Sequence, residues 1–443
     1  MEKEKNNLLA SRRNFVKNTA ILGAGMMLPN MELSAMVNVF NEKTLKLAVV
    51  GCGGRGSGAA NQALKADQNV QLIAMADAFE DRLLESLKNL ETEFEGTGKV
   101  KVGEKNRFVG FDAYKRAIDL ADVVILATPP GFRAYHFEYA INSGKHVFME
   151  KPVATDVPGI RKVLEMAKVA KEKKLNVVVG LQRRYQNNYL NIAEKIKNGE
   201  VGKLLSGQIY WNSGGVWVRP REAGQSEMEY QMRNWYYFNW LCGDHILEQH
   251  IHNIDVANWF IGEYPVSAQG MGGREIRKGP EHGEIFDHHF VEFRYPSGAV
   301  ISSQCRHQPG TWSKVGENFQ GTKGSVEMND AGAASLTDLE GNKIFEYRGM
   351  GDPNPYQVEH NKLFAAIRSN EVINNAEYGA KSTMSAILGR MASYTGVVVN
   401  WEEALMSADH LMPPGDLTWN STPPTVPGAD GNYPIPTPGK LMV

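Results

Sequence analysis

Lys151 follows an apolar run, Lys145-His146-Val147-Phe148-Met149, and Glu150, and it precedes Pro152. The run reads as a strand, so Glu150-Lys151-Pro152 falls in a tight turn at the strand's carboxyl end. Ligands bind at that end of open parallel sheets, and an X–Pro bond in such a turn can be cis. A rigid ammonium there can hydrogen-bond a hydroxyl, steady the alkoxide formed as that hydroxyl is oxidised, or relay its proton. Burial and a neighbouring positive ring would lower its pKa.

A second group lies in Gly243-Asp244-His245-Ile246-Leu247-Glu248-Gln249-His250-Ile251-His252-Asn253-Ile254-Asp255. Read as one continuous helix at ~100° per residue, Glu248, His252 and Asp255 share a face spanning about 60°. His245 and Trp259 flank that face, Leu247, Ile251 and Ile254 form a separate apolar stripe, and His250 falls away. A histidine with a carboxylate one turn to either side is an oriented general base. His245, Glu248 and His252 stand at i, i+3 and i+7, which is not H-E-x-x-H, and no further ligand is marked. No metal is expected there. Arg233-Asn234-Trp235-Tyr236-Tyr237-Phe238-Asn239-Trp240, with Trp211 and Trp217 upstream, supplies flat rings edged by Arg and Asn. Such rings suit the apolar faces and hydroxyl fringe of a sugar; filling core or subunit contacts is their other use.

The elements that position these groups begin at Leu45–Val50, a strand that runs into Gly51-Cys52-Gly53-Gly54-Arg55-Gly56 and then a helix over Ser57–Ala66. This is G-x-G-x-x-G between strand and helix, a turn whose backbone can approach a pyrophosphate at a helix N-terminus. A second strand, Val70–Ala76, ends at Asp77, about 20 residues beyond the glycines, where a carboxylate binds a ribose 2′-hydroxyl. That carboxylate would repel a 2′-phosphate and favours NAD over NADP; Arg55 and Arg82 soften the preference. Strands at Val123–Ala127 and Asn176–Val179, with helices at Ala134–Ser143 and Val157–Lys173, continue the alternation of a parallel sheet with right-handed crossovers.

Beyond Gly180 the texture changes. His288–Arg294 and Ala299–Arg306 read as antiparallel strands, with a helix near Gln357–Arg368. The predicted organisation is a leader over 1–43, a Rossmann domain over 44–180, and an α+β domain over 181–412 on a large, mostly antiparallel open sheet. A Pro-rich arm over 413–443 follows, with eight of the chain's 20 prolines, placed to wrap the molecule or a partner. The 443 residues are 42% apolar and 22% charged, a globular balance, and a net charge of −2 gives no electrostatic case for nucleic acid or an anionic membrane. Cys52, Cys242 and Cys305 form no C-x-x-C pair, so no disulfide framework or zinc ribbon follows. Ser11-Arg12-Arg13-Asn14-Phe15-Val16-Lys17, a modest apolar stretch over Thr19–Leu28 and Ser34-Ala35-Met36 match a twin-arginine export signal. No run reaches the ~18 apolar residues of a membrane span. The expectation is a soluble, periplasmic protein.

Taken together, GCGGRG at 51–56, Asp77, Ala127-Thr128-Pro129, His136, GKHVFMEKPVAT from Gly144 to Thr155, Gln182-Arg183-Arg184-Tyr185 and the H-x-x-D of His252 and Asp255 resemble the Gfo/Idh/MocA oxidoreductases. The likeness is to the glucose–fructose oxidoreductase and inositol dehydrogenase kinds. It implies a nicotinamide cofactor held by Gly51, Gly53, Gly54, Arg55, Gly56, Asp77, Thr128, Pro129, His136, Glu150, Lys151 and Gln182. It implies Lys151 and His252 as catalytic residues. Asp255 would lie on substrate hydroxyls, and Glu248, Arg184, Trp235 and Tyr236 would complete the substrate side. Many relatives carry Asp where this chain has Glu248. Because twin-arginine export carries folded proteins, an exported member should retain its NAD and recycle it in place. Three readings follow: an exported sugar, polyol or glycoside oxidoreductase; an NAD-dependent glycosidase working by transient C3 oxidation and elimination; and a non-catalytic carbohydrate-binding module. A homodimer or homotetramer through the second sheet is expected.

Overall fold

The computed structural model describes residues 43–440; the expected twin-arginine leader falls, apart from Lys43, outside these residues. Six strands build a parallel sheet: β1 (Leu45–Val50), β2 (Val70–Asp77), β3 (Arg107–Val109), β4 (Val123–Leu126), β5 (His146–Met149) and β6 (Val177–Val179). Their order is β3-β2-β1-β4-β5-β6, a doubly wound arrangement whose switch point lies between β1 and β4. All four residues of β4 are buried, because helices cover both faces. Leu47 and Val49 meet the helices Gly54–Ala66 and Glu80–Glu93 on one side. Ala48 and Val50 meet Ala113–Leu120, Pro130–Asn142 and Val157–Glu172 on the other.

Past Gly180 a nine-stranded sheet forms from β7 (Leu204–Ser213), β8 (Ser267–Gly273), β9 (His288–Arg294), β10 (Val300–His307), β11 (Lys314–Gly321), β12 (Gly324–Asn329), β13 (Ala334–Asp338), β14 (Lys343–Tyr347) and β15 (Val399–Asn400). Its order is β14-β13-β12-β11-β7-β10-β9-β8-β15. Only β7 and β10 pair in parallel. Parallel pairing needs a long crossover, and here the aromatic stretch and the two-carboxylate region lie inside that crossover. The fold is therefore the expected α/β one, a Rossmann sheet beside a mostly antiparallel sheet. The strand read at Ala299–Arg306 sits one residue later, and the helix near Gln357–Arg368 lies inside Pro355–Ser369.

The two sheets share one apolar core. A single buried cluster runs from Ala48 and Val50 through Ile246 and Ile254 to Val291 and Phe293. Its bridge is a helix that periodicity did not reveal, Ala376–Thr395. That helix is rich in Ala, Gly and Ser and buried around most of its circumference, so it has no polar face to set a 3.6-residue period. The helix Pro355–Ser369 returns to the first sheet, where Arg368 pairs with Asp67 at 2.7 Å and Gln357 donates to the Gln62 carbonyl at 2.9 Å. The Pro-rich segment lies on its own chain: Gln231 Nε2 donates to the Thr425 carbonyl at 2.7 Å and Tyr433 Oη to Glu227 at 2.5 Å.

The continuous helix expected through Gly243–Asp255 is instead two helices, His245–Glu248 and Ile251–Ile261, broken at Gln249–His250. The break lets His250 turn into the core, where its Nε2 meets Ser303 Oγ on β10 at 2.7 Å. It also lets Gln249 Oε1 pair with His307 Nε2 at 2.6 Å. Two buried polar partners outweigh the one or two helical hydrogen bonds lost.

The glycine turn is sterically closed at two points. A Cβ on Gly51 would sit 2.5 Å from the Ala127 carbonyl carbon, and one on Gly56 1.8 Å from the Gly51 carbonyl oxygen, whereas a Cβ on Gly53 meets nothing within 4 Å. Gly56→Ala should therefore lower stability by about 1–3 kcal/mol or prevent folding, as overpacking does. Gly53→Ala should unfold like the wild type. Thermal unfolding of both variants checks this, and equal destabilisation would contradict the packing argument.

Candidate active site

The glycine turn, Asp77 and the aromatic crossover line one cavity of about 410 Å³. Gly51, Gly53, Gly54 and Arg55 line it together with Thr128, Pro129 and His136. Trp217, Trp235, Tyr236 and Glu248 close the far end. A dinucleotide fits this space by the chemistry of its lining. The carboxyl ends of β1 and β2 present an open glycine backbone, which a Cβ at Gly53 or Gly54 would begin to fill. Asp77 accepts hydrogen bonds from the Cys52 and Phe79 N–H groups at 2.6 and 2.9 Å, which fixes its carboxylate toward the cavity while leaving lone pairs for ribose hydroxyls. Burial pushes its pKa up.

Glu150 and Arg55 pair at 2.5–2.8 Å, joining the turn after β5 to the glycine loop. Arg55 also lies 4.8 Å over the Tyr356 ring. His136 stacks on Tyr114 at 4.0 Å and meets Thr128 Oγ1 at 3.2 Å; burial, then Arg133, pushes its pKa down to about 3, so the ring is neutral. Gln182 Oε1 is buried without a hydrogen-bond partner and does not line this cavity.

Lys151 stands as expected at the end of β5, and the Lys151–Pro152 bond is cis. Its Nζ donates to the Glu248 main-chain carbonyl and, at 3.0 Å, to Glu248 Oε1. The helix break carries Glu248 away from the His252 face and gives it to the lysine. His252 stacks on Trp211, ring centroids 5.8 Å apart, with Nδ1 buried and unpartnered. Burial, then the charges of Lys151 and Arg183, holds its pKa well below the ordinary value. A neutral imidazole close to a lysine ammonium can accept a proton.

Asp255, expected on substrate hydroxyls, is engaged elsewhere. Arg184 Nε and Nη2 donate to its two oxygens at 2.8 Å each, and Ser382 Oγ adds a third hydrogen bond at 2.7 Å. Asp255 is 1% exposed. The pair braces the helix that carries His252. Beside it Arg183 pairs with Glu317 on β11, which also accepts from Asn253 at 2.7 Å and Tyr189 at 3.0 Å.

Trp217 packs edge to face on Trp235 and Tyr236, which are themselves tilted against each other, with centroids 5.7–6.0 Å apart. Tyr236 Oη is buried and unpartnered. The structure adds residues that spacing did not single out. Arg133, wholly buried, donates to the Pro152 and Thr128 carbonyls and so ties the lysine turn to the Thr128-Pro129 turn. Phe79 and Phe111 line the cavity, and Trp419 of the Pro-rich segment packs against both at a tilt, with centroids 4.9 and 4.7 Å apart. Only the aromatic type of these residues could have drawn notice in the sequence.

Residues 45–181 match the "Oxidoreductase family, NAD-binding Rossmann fold" profile of the Gfo/Idh/MocA group, and residues 189–327 match its C-terminal domain, more than half of the chain together. An inositol 2-dehydrogenase of Rhizobium meliloti is 25% identical over 295 residues, 66% of this chain and 78% of that one. A 2,7-anhydro-N-acetylneuraminate hydratase of Escherichia coli is 28% identical over 210 residues, 47% of this chain; the match spans about half, 52%, of the hydratase. In fold, the chain is similar to an aldose-aldose oxidoreductase of Caulobacter crescentus (TM-score 0.64, 20% identity, 81% of this chain and 100% of that one). It is also similar to a levoglucosan dehydrogenase solved with NADH and levoglucosan (TM-score 0.62, 18% identity, 80% and 99%). The chain belongs to the Gfo/Idh/MocA family of NAD-binding oxidoreductases.

Two outcomes follow from the geometry. Arg184→Leu, which leaves Asp255 buried and unpaired, should cost about 3–5 kcal/mol in denaturant unfolding; a change under about 1 kcal/mol would show that the pair carries no structural weight. Asp77→Ala should weaken NAD binding roughly tenfold, about 1.4 kcal/mol, and narrow the preference over NADP, read by titration of both cofactors.

Proposed function

We propose that this chain oxidises a hydroxyl-bearing carbon of a sugar, polyol or glycoside with a tightly held NAD(H), and that it does so after export. The observation that carries the reading is Lys151: its ammonium is clamped by Glu248 at the carboxyl edge of the Rossmann sheet, beside the neutral, unpartnered His252 and one cavity that joins glycine turn to aromatic rings. Bound NAD supplies the acceptor for the hydride released from the carbinol carbon. His252 takes the hydroxyl proton, and Lys151 holds the oxygen as its charge grows. Glu248 aims the lysine, and the Arg184–Asp255 pair aims the histidine helix. Trp217, Trp235 and Tyr236 offer ring faces to the C–H faces of a pyranose and exclude water. Thr128, Pro129, His136 and the Arg55–Glu150 pair complete the cofactor side.

The sequence motif at Ser11–Lys17 supports export by the twin-arginine route and hence a retained cofactor. Exposed apolar side chains on the nine-stranded sheet, Leu205, Met271 and Ile344, support self-association through that sheet. A second reading is favoured by the hydratase relative, named for a hydratase rather than a dehydrogenase activity: an NAD-dependent glycosidase that oxidises C3, loses the C2 proton and the C1 leaving group by elimination, adds water at C1 and returns the hydride to C3.

Lys151→Ala should keep its cofactor and lose about 10²–10⁴ in the rate of reducing bound NAD with a responsive glycoside. Near-normal reduction would remove Lys151 from the chemistry. Because His252 is neutral to well below pH 6.5, the acid limb of kcat/KM should fall below that value; an inflection above it would assign the base elsewhere. Deuterium from solvent at C2 of a released sugar, with no net NADH, would select the glycosidase reading. Replacing Arg12 and Arg13 together by lysine should leave the chain in the cytoplasmic fraction; undiminished export would refute the signal.

A further inference from the structure

The Gly243–Glu248 turn holds a second cluster that the oxidoreductase chemistry does not use. Asp244 precedes the His245–Glu248 helix, and His289 faces it from β9. Asp244 and His245 are 0% exposed and His289 is 3% exposed. One ligand atom from each residue lies within 4.8 Å of the other two. Asp244 Oδ1 is 2.7 Å from His245 Nδ1 and 3.2 Å from His289 Nε2, yet neither nitrogen makes an aligned hydrogen bond, and His245 Nε2 also has no partner.

A buried imidazole nitrogen without a partner is costly: His245 Nε2 has none, and His245 Nδ1 and His289 Nε2 share only the one poorly aligned oxygen of Asp244. The remaining groups are committed so as to orient that set. Asp244 Oδ1 accepts the His245 N–H, and Oδ2 accepts the Phe286 N–H at 2.9 Å and the Tyr394 hydroxyl at 2.5 Å. His289 Nδ1 is engaged by Ser393 Oγ at 2.8 Å, as the second nitrogen of a metal-binding histidine usually is. His307 stacks on His245 at 4.4 Å, but its Nε2 is taken by Gln249, so it is a wall and not a ligand. Asp244 also holds φ +72°, a conformation rare for a residue with a side chain.

We propose that Asp244, His245 and His289 bind a structural divalent transition metal ion, zinc by donor type. Two imidazoles and a carboxylate are a zinc donor set, and the two short separations lie near the edge of about 3.3 Å expected for tetrahedral bonds of about 2.0 Å. The third edge, between the two imidazoles, is no longer than 4.8 Å. The ion would tie β9 to the turn whose last residue, Glu248, clamps Lys151. No ligand atom is exposed, so the ion enters as the chain folds and takes no part in turnover.

Metal analysis of the purified full-length protein, produced with zinc in the medium, should give about one equivalent per chain. Refolding with cobalt(II) should give the intense visible absorption of a tetrahedral site. His289→Asn and His245→Asn should each bring the content below roughly a tenth of an equivalent, while His288→Asn, at the exposed neighbour, should leave it unchanged. Where either variant fails to fold, wild-type stoichiometry and the cobalt spectrum decide. A wild-type protein without metal after both zinc-supplied production and zinc refolding would overturn the site. So would full metal content in folded His289→Asn.

Discussion

Two consecutive arginines stand where the chain leaves the parallel sheet, and neither can remain buried alone. Arg183 and Arg184 follow β6 within one short turn, and each finds a carboxylate in the second half of the chain: Glu317 on β11 for the first, Asp255 on the His252 helix for the second. A buried charge without its partner costs several kcal/mol, so the second sheet has little freedom in how it docks on the first. Asn253 and Tyr189 satisfy the remaining oxygens of Glu317, and Ser382 joins Asp255. The histidine helix is thereby held just past His252, at Asn253 and Asp255, by charge-assisted hydrogen bonds.

The chemistry inherits this rigidity. Lys151 rises from the first sheet and Glu248 reaches it from the second, so their pairing forms only when the two halves are docked. Arg133 performs a related task within the first half, tying two turns through their carbonyls while remaining wholly buried; burial pulls its pKa down to about 10, still far above neutrality. Burial, and then the positive groups around His252, keep its imidazole neutral. A proton acceptor beside a proton donor, both shielded, is the arrangement that oxidation of a hydroxyl requires.

The cavity beside the glycine turn has two ends that are built differently. At the glycine end the β1 turn supplies open backbone, and Phe79 and Phe111 beside it are packed by Trp419 of the Pro-rich segment. At the other end the walls are Trp217, Trp235 and Tyr236, rings from a crossover that is ordered by packing on one another and on the Pro-rich segment through Tyr433 and Trp419. The ring-lined end of the cavity therefore rests on the part of the structure with the most distant sequence partners.

Local patterns sufficed for the Rossmann half: strands of β-branched residues, a glycine turn with no room for a side chain, an acid at the end of β2 and a lysine at the end of β5 are all read from near neighbours in the chain. Of the second sheet's nine strands, those at His288–Arg294 and Ala299–Arg306 were legible for the same reason. The helix Ala376–Thr395 was not, because burial on nearly every side erased its periodicity. Nor was the break at Gln249–His250, which exists only because Ser303 and His307 on a remote strand offer better partners than the helix does. That break reassigns Glu248 from His252 to Lys151, and the Arg184–Asp255 pair turns a presumed substrate contact into a brace. Residue types and short-range spacing determined the family of chemistry. Which carboxylate serves which base was decided only by tertiary structure, since burial makes every charge and ring nitrogen answer to partners far along the chain.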